Sequence, residues 1–277
     1  MRNILVPTDF SDCSKIAEQV AVSIAEKNKS KIDFLHMMNI SKFNVQSATA
    51  SHHLPEEIQN SLGKAQQYLN NLTKSSENKG IESKSYISEN VSVEEIKNHV
   101  HKHQIDLVVM GSHGASGIKE AFLGSNTQKV LRSVQVPVLV IKEEPKDLNF
   151  TNIVFASTFK EDVHHVFQKI QNFANIFGST IHLLYVNMPY NFEETDTSAE
   201  RIHEFSSKYP GSNFKFHIYN AFDEESGILN FSKLNNIDLI STSTHGKSGF
   251  MQILSPSITE SLANHSQLPV LSVNTTH

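Results

Sequence analysis

Residues 105–125 read IDLVVMGSHGASGIKEAFLGS, a buried-strand pattern that runs directly into a glycine-rich segment. Gly111 follows the apolar run directly, and Gly114 comes three residues later. Together with Gly124 and Ser125 they form the spacing Gly-x2-Gly-x9-Gly-Ser. Glycine lets backbone N–H groups converge on an anion, since no Cβ blocks the approach and positive φ angles are permitted. Gly124 and Ser125 would then open a helix whose first N–H groups face the same anion. The stretch therefore predicts an anion-binding loop, although a strand-to-helix turn that binds nothing stays open.

The glycine spacing differs from the two best-known phosphate-binding motifs. It is not Gly-x4-Gly-Lys-Ser/Thr, so it lacks the lysine that reaches the terminal phosphates in P-loop hydrolases. It is also not the Gly-x-Gly-x-x-Gly of dinucleotide-binding folds. The spacing favours a binding site over a catalytic one.

Composition indicates a soluble protein of two domains. The 277 residues, 38% of them hydrophobic, exceed the usual domain size of about 100–150 residues. A formal charge of −5 and scattered Lys and Arg disfavour nucleic-acid binding. One cysteine cannot form an intramolecular disulfide, and the chain shows neither a signal peptide nor a run of about 18 apolar residues. We therefore expect a cytoplasmic protein without a membrane segment.

The chain contains an internal repeat. Ile-Asp-Leu at 105–107 recurs at 237–239, and His-Gly-x-Ser-Gly at 113–117 recurs at 245–249. Both recurrences lie 132 residues further on. Self-similarity at one fixed offset indicates duplication of a whole folding unit.

The front of the chain repeats at a different offset. Asn3-Ile4 matches Asn152-Ile153, 149 residues later, so the second copy lacks 17 residues between its second and third strands. A polar linker separates the copies. The predicted domains are residues 1–145 and 150–277.

Short apolar runs alternate with helical patterns in the first copy, which is the order of βαβ units. Strands linked by helices and buried on both faces predict an α/β fold with a doubly wound parallel sheet in each domain. Ligands of such sheets bind at the carboxyl ends of the strands near the topological switch point. The Thr8-Asp9 corner and the loop at Gly111 would both lie there. The predicted strands are 4–6, 32–37, 83–87, 107–110 and 138–141.

Three motifs together resemble the universal stress protein family. They are Pro7-Thr8-Asp9-Phe10-Ser11 after the first strand, Leu35-His36-Met37 at the end of the second, and the glycine motif at 111–125 after the fourth. The resemblance covers nearly the whole chain and indicates a tandem member with a HUP/Rossmann-like fold. The first copy is similar to the ATP-binding branch, which implies ATP as ligand, with Mg²⁺ able to bridge its phosphates.

Carried over to this sequence, the resemblance implies an adenosine side of the site in the first copy. Pro7 and Asp9, at the corner that includes Thr8, would line this side. Met37 would offer backbone hydrogen bonds to adenine. Met110 would lie near the ribose.

A phosphate side is implied by the same resemblance. The first glycine would sit near the α-phosphate, and backbone N–H groups with the serine hydroxyl would cradle the phosphate chain. His113 lies within the loop and is predicted either to contact phosphate or to keep a structural role. The residues of the phosphate side are Gly111, His113, Gly114, Gly124, Ser125 and Asn126.

The second copy departs from the motif. Thr158 stands at the position of the aspartate, Ser243 at that of the first glycine and Pro256 at that of the third. Proline has no N–H to donate, and serine restricts a turn that glycine would allow. We therefore predict one nucleotide site per chain. Gly246 and Ser257 are retained, so weak or AMP-like binding in the second copy stays open.

The resemblance also implies how the copies associate. Family members commonly pair through their last strands, so Val136–Ile141 and Leu268–Val273 would pair within one chain and form an intrachain pseudo-dimer. Association of two such chains into a homodimer is common in the family. The sequence identifies no protein partner.

Several other residues suggest chemistry but have simpler interpretations. His99 and His103 share one helical face and are a candidate metal pair, yet without a third ligand we interpret them as a solvated helix end. Cys13, in the first turn of the first helix, is interpreted as a packed residue rather than a redox-responsive thiol. The polar segment 41–53 is interpreted either as a lid or as an ordinary loop.

Three functions remain to be separated. The first is a nucleotide-dependent switch in stress response or signalling. The second is a slow ATP-hydrolysing enzyme that uses His113 and Mg²⁺. The third is a scaffold that has lost nucleotide binding. The missing P-loop lysine favours the switch over the enzyme.

Overall fold

The computed structural model describes residues 1–39, 55–114, 123–160, 163–210, 213–244 and 256–275. The predicted lid at 41–53 and the repeat motif at 245–249 lie outside these residues. Gly246, which left weak binding in the second copy open, therefore also lies outside them. No helix within the described ranges is both long and apolar enough to cross a membrane.

Strands and helices alternate along the described chain. The strands are β1 (Asn3–Thr8), β2 (Lys31–Met37), β3 (Ser83–Ser88), β4 (Leu107–Gly111), β5 (Val138–Ile141), β6 (Asn152–Ala156), β7 (Thr180–Asn187), β8 (Phe214–Asn220), β9 (Leu239–Thr244) and β10 (Val270–Asn274). The helices are α1 (Asp12–Asn28), α2 (Glu56–Asn78), α3 (Val93–Lys102), α4 (Ser125–Ser133), α5 (His164–Phe177), α6 (Thr195–Ser207), α7 (Glu224–Leu234) and α8 (Pro256–His265). The predicted strands of the first copy correspond to β1–β5.

All ten strands form one sheet with the order β3-β2-β1-β4-β5-β10-β9-β6-β7-β8. We call β1–β5 with α1–α4 the first half, and β6–β10 with α5–α8 the second half. Strands are parallel within each half. Each half has the doubly wound order 3-2-1-4-5, so the predicted fold class is confirmed.

The halves join through their last strands. β5 pairs antiparallel with β10, with Leu139 opposite Leu271 and Val140 opposite Val270. Arg132 of α4 forms a two-pronged ion pair with Glu260 of α8 beside this seam. The predicted intrachain pairing of the last strands is therefore confirmed. The predicted division at residues 145 and 150 falls in the connection between β5 and β6 and stays a prediction.

The core lies on both faces of the sheet, because successive strand residues point to opposite sides. Ile4 and Val6 of β1 belong to a cluster on the face that α1, α2, α5 and α6 cover, whereas Leu5 belongs to a cluster on the other face, which α3, α4, α7 and α8 cover. Each cluster contains residues of both halves, so the hydrophobic core is continuous across the seam. Burial on both faces explains why the central strands read as unbroken apolar runs.

Local sequence sets the direction in which α1 leaves the site. The Ser11 side chain caps α1 by accepting a hydrogen bond of 3.2 Å from the Ser14 N–H. Phe10, just before it, has a φ of 65°, which lets the chain turn sharply from β1 into the helix. The stripe of Ala17, Val20 and Ile24 is fully buried against the sheet. This turn holds the Thr8-Asp9 corner at the carboxyl edge of β1.

Candidate functional site

A cavity of about 230 Å³ opens at the carboxyl ends of β1 and β4. These neighbouring strands form the switch point of the first half, because α1 leaves towards one face of the sheet and α4 packs on the other. The structure brings all the predicted site residues together around this cavity. They are Pro7, Thr8, Asp9, Met37, Met110, Gly111, His113, Gly114, Gly124, Ser125 and Asn126. Their role in nucleotide binding stays a prediction.

Four further residues line the cavity although no sequence pattern predicted them there: Ser14, Val91, Ile96 and Thr127. Val91 and Ile96 come from the connection of β3 to α3 and from α3 itself, and they add apolar surface. No glycine or unusual spacing marks them in the sequence, since Ile96 looks like any buried residue of an amphipathic helix. Only the return of the chain after β3 places them beside the cavity.

The start of α4 supplies hydrogen-bond donors. Gly124 is its N-cap, and no side chain caps the helix among the described residues. The first turn of a helix has N–H groups without intrahelical acceptors, and the helix dipole adds partial positive charge there. Ser125 and Asn126 in this turn are exposed to the cavity opening. The helix start therefore suits an anion.

One predicted donor is already engaged. The Gly124 N–H donates to the Ser112 carbonyl at 2.8 Å, so we correct the expectation that this N–H directly cradles phosphate. The hydrogen bond ties the end of the loop back to the end of β4. Thr127 reinforces the tie, because its hydroxyl donates to the Gly111 carbonyl at 3.1 Å. Gly124 thus shapes this side of the cavity, because its N–H is already engaged.

Close backbone approach requires glycine at 111, whereas a Cβ at 114 would crowd a side chain that can move. A Cβ on Gly114 would lie 2.3 Å from Asp9 Oδ2. A Cβ on Gly111 would lie 2.9 Å from Cys13 Sγ and 3.1 Å from the Cys13 backbone carbonyl carbon. Cys13 is buried, and its Sγ donates to the Ile141 carbonyl at 3.2 Å, so the packed interpretation of this cysteine is confirmed.

The cavity carries little side-chain charge. Asp9 is the one carboxylate among its described lining residues, and none of them is Lys or Arg. His113 Nδ1 lies 2.9 Å from the Ser112 hydroxyl, which orients the imidazole. An anion bound here would therefore depend on backbone dipoles rather than on a salt bridge.

A buried polar group supports the corner from beneath. Glu18 of α1 is 4% exposed and accepts hydrogen bonds from the Thr8 hydroxyl at 2.5 Å and from the Tyr68 hydroxyl at 3.0 Å. Burial raises the pKa of Glu18, against the opposing effect of these hydrogen bonds. Phe10 stacks on His36 above this group, with ring centroids 4.1 Å apart. The corner is thus held by both hydrogen bonds and packing.

The matching corner of the second half is arranged differently. The Thr158 carbonyl accepts a hydrogen bond of 2.6 Å from Arg201 Nη1. Glu193 forms ion pairs with Lys160, at 2.6 Å, and with Arg201. Although burial raises the pKa of Glu193, the hydrogen bonds from these two cations hold it below its usual value. Ion pairs therefore occupy the corner that the first half leaves open to its cavity.

The histidine pair of α3 corrects a second expectation. His99 is 8% exposed, so the interpretation of a solvated helix end is wrong for it. Asp33 of β2 supplies the third potential ligand that sequence spacing could not reveal. A carboxylate 66 residues away in the chain becomes a neighbour only when α3 packs on the sheet.

The comparisons with known proteins agree with this architecture. The model of the universal stress protein family matches residues 1–142 and 218–274. Universal stress protein MJ0531 of Methanocaldococcus jannaschii is 31% identical over 146 residues, which cover 53% of this chain and 85% of the relative. Universal stress protein YxiE of Bacillus subtilis is 31% identical over 144 residues, or 50% of this chain and 97% of the relative. Each relative thus corresponds to about one half.

A solved structure covers both halves at once. The crystal structure of a universal stress protein from Archaeoglobus fulgidus superposes with a TM-score of 0.77 and 21% sequence identity. The match covers 99% of this chain and 98% of the other, and at this identity it shows the fold alone. The sequence matches and the shared fold lead to one conclusion: the chain belongs to the universal stress protein family, as a tandem member.

Proposed function

We propose that the first half binds an adenine nucleotide, ATP, in the cavity at its switch point. The observation that carries the proposal is the convergence on one cavity of three features: a helix start that no described side chain caps, the close-packed Gly111, and an apolar wall. A helix start favours phosphate through its N–H groups and its dipole. An apolar wall favours a flat base. These two features suit a phosphorylated compound with a flat ring, and the family resemblance selects ATP among such compounds.

The residues divide into two groups in this proposal. The base and ribose would lie against the apolar side chains of Met37, Val91, Ile96 and Met110. The phosphates would lie at the first turn of α4, beside Ser125 and Asn126. Mg²⁺ would reach the site with the phosphates, because the described lining residues offer only the Asp9 carboxylate as a hard ligand.

The cavity favours binding over catalysis. A cation that reaches the terminal phosphate is absent from its described lining residues, and His113 is oriented by Ser112. We expect His113→Ala to change ATP affinity by less than about threefold and to leave any slow background hydrolysis unchanged. Loss of a measurable hydrolysis rate at unchanged affinity would instead favour an enzyme.

ATP occupancy would act as a switch in stress response or signalling. A ligand shifts a conformational equilibrium only by as much as its affinity differs between the two states. The Gly124–Ser112 hydrogen bond and the Thr127–Gly111 hydrogen bond connect the cavity to α4. The Arg132–Glu260 pair then connects α4 to α8 at the seam. This chain of contacts gives nucleotide binding a physical route to the second half.

Nucleotide content tests the proposal. The full-length protein would be denatured after purification, and the released small molecules identified by mass spectrometry and quantified per chain. We expect about one adenine nucleotide per chain, or one site on titration with Mg-ATP. Two nucleotides per chain would contradict a single site. No bound nucleotide and no ATP-dependent rise in melting temperature would favour a scaffold.

A pair of exchange variants locates the site. Gly124 has a φ of −58°, which proline adopts, so Gly124→Pro keeps the backbone path while it removes the hydrogen bond to Ser112. Loss of this bond is expected to weaken ATP binding at least tenfold. Pro256→Gly in the second half is the matched control and should leave both affinity and stoichiometry unchanged. Equal losses in the two variants would contradict a site in the first half.

A further inference from the structure

Three potential metal ligands meet at the amino edge of the sheet, away from the nucleotide cavity. Asp33 lies near the start of β2, and His99 and His103 lie in the last turn and at the C-cap of α3. His99 Nε2 is 2.8 Å from Asp33 Oδ2, and His103 Nδ1 is 3.3 Å from the same oxygen. The three ligand atoms all lie within 4.8 Å of one another.

The cluster is built into the packing rather than laid on the surface. The side chains of His99, Asp33 and His103 are 9%, 14% and 24% exposed. The two imidazoles stack with their centroids 4.0 Å apart. The Tyr86 ring meets both imidazoles edge-on, at 4.7 and 4.9 Å, which fixes their position beside β3.

We propose that Asp33, His99 and His103 bind a divalent first-row transition ion, with zinc or cobalt as the fitting class. Two imidazoles and one carboxylate are a ligand set that such ions accept, with a position left for water or another ligand. Tetrahedral zinc with bonds of about 2.0–2.1 Å sets its ligand atoms about 3.3 Å apart. The His103–Asp33 distance of 3.3 Å equals this value, whereas the His99–Asp33 distance of 2.8 Å would lengthen on metal binding. The two nitrogens lie within 4.8 Å of each other, so ion binding would set their separation by adjusting the rings.

An open position faces solvent. A cavity of about 190 Å³ adjoins the cluster, and His103, Asp33 and Tyr86 line it together with Lys84. Water or a small anion could therefore complete the coordination from this side. Three protein ligands with one open position is the arrangement of reactive rather than purely structural zinc sites.

The second half provides an internal control for this site. In the strand pairing, His182 faces Lys215 as Asp33 faces Lys84, and His217 takes the place of Tyr86. Phe231, 132 residues after His99, packs on His217 with ring centroids 4.7 Å apart. His182 Nδ1 lies 3.1 Å from His217 Nε2. The second half thus keeps two histidines at the matching place but has neither the carboxylate nor the helical histidine pair.

Metal titration of the full-length, nucleotide-free protein tests the proposal. Chelator-treated protein would be titrated with Co²⁺ alone while the visible d–d absorption is recorded, and Zn²⁺ would then be added in competition. We expect one equivalent of Co²⁺ per chain with a tetrahedral-type spectrum, displaced by one equivalent of Zn²⁺. Absence of a stoichiometric spectrum, or of Zn²⁺ binding in calorimetry, would overturn the proposal.

Variants separate the site from adventitious histidine binding. Asp33→Asn and His103→Gln each remove one ligand at a partly exposed position and should weaken Co²⁺ binding by more than about 100-fold, beyond the effect usual for an outer-shell partner. His217→Gln, the control, should bind as wild type does. A melting curve without metal checks that every variant is folded. Wild-type affinity in either ligand variant, or equal weakening in His217→Gln, would show that the cluster is only a structural hydrogen-bond group.

Discussion

The two halves share one topology and differ in what fills the same corner. After β1, Phe10 adopts a φ of 65°, and after β6, Phe159 adopts a φ of 55°, so both halves make the same sharp turn. Beneath the first turn lies Glu18, hydrogen-bonded to Thr8. At the matching position of the second half lies Phe167, packed against Phe155 and Phe205. The fold therefore tolerates either a polar or an aromatic support.

The comparison separates what the fold requires from what the cavity requires. The sharp turn, the strand order and the antiparallel seam belong to the fold, because they occur in both halves or join them. The close-packed Gly111 occurs only in the first half. Its counterpart in the second half is Ser243. Exchanging residues between the halves can therefore break one property while leaving the other in place.

Gly111→Ser should have the largest effect. The new Cβ would meet the Cys13 backbone at 3.1 Å, and a backbone contact cannot be relieved by a side-chain rotation. Overpacking of this kind costs about 1–3 kcal/mol, and we expect the upper end together with loss of ATP binding. Urea unfolding and calorimetry with Mg-ATP measure the two effects.

Ser243→Gly is the reverse exchange and the control. The Ser243 hydroxyl is buried and has no hydrogen-bond partner among the described residues. Removing it should offset the entropic cost of glycine, so the free energy of unfolding is expected to change by less than about 1 kcal/mol. A loss as large as that of Gly111→Ser would show that the two positions are equally constrained.

Asp9→Thr should have the next largest effect. The exchange removes the one carboxylate among the described lining residues of the cavity and replaces it with the residue type found at position 158. Hydrogen bonds to charged groups contribute about 1.5–3 kcal/mol, so we expect ATP affinity to fall at least tenfold. The reverse change, Thr158→Asp, should create no site, because Arg201 lies beside it and would pair with the new carboxylate. Nucleotide binding gained by Thr158→Asp would contradict this account of the second corner.

Glu18 gives the first half a pH dependence that Phe167 cannot give the second. Its folded-state pKa is raised by burial, so its carboxyl destabilises the fold once it ionises. The protonated carboxyl contributes to the free energy of unfolding. This contribution is fully present below the unfolded-state pKa of about 4.3 and is lost as the pH rises through the raised folded-state pKa. We expect the free energy of unfolding of Glu18→Gln to lack this decline. Denaturant unfolding from pH 4 to 8 tests the difference, and parallel curves for the two proteins would contradict it.

The sequence predicted the fold and the glycine side of the site because both depend on local features. Apolar runs, the repeat offsets and the glycine spacing are readable without a partner in space. Val91, Ile96 and the engagement of Gly124 by Ser112 were missed because they arise when the chain returns to the cavity after β3 or closes the loop. The Asp33 neighbour of His99 was missed for the same reason, since no local pattern reports a contact across 66 residues.

The last comparison concerns the helix that follows each turn, where the smallest effect is expected. α1 ends at Lys29 with a φ of 53°, and α5 ends at Gly178 with a φ of 65°, at matching positions. The left-handed conformation costs a residue with a Cβ roughly 1 kcal/mol but costs glycine nothing. Lys29→Gly should therefore raise the free energy of unfolding by about 0.5–1 kcal/mol, and Gly178→Lys should lower it by a similar amount. Thermal unfolding measures both, and equal signs for the two variants would show that contacts of the lysine side chain, rather than backbone conformation, decide this position.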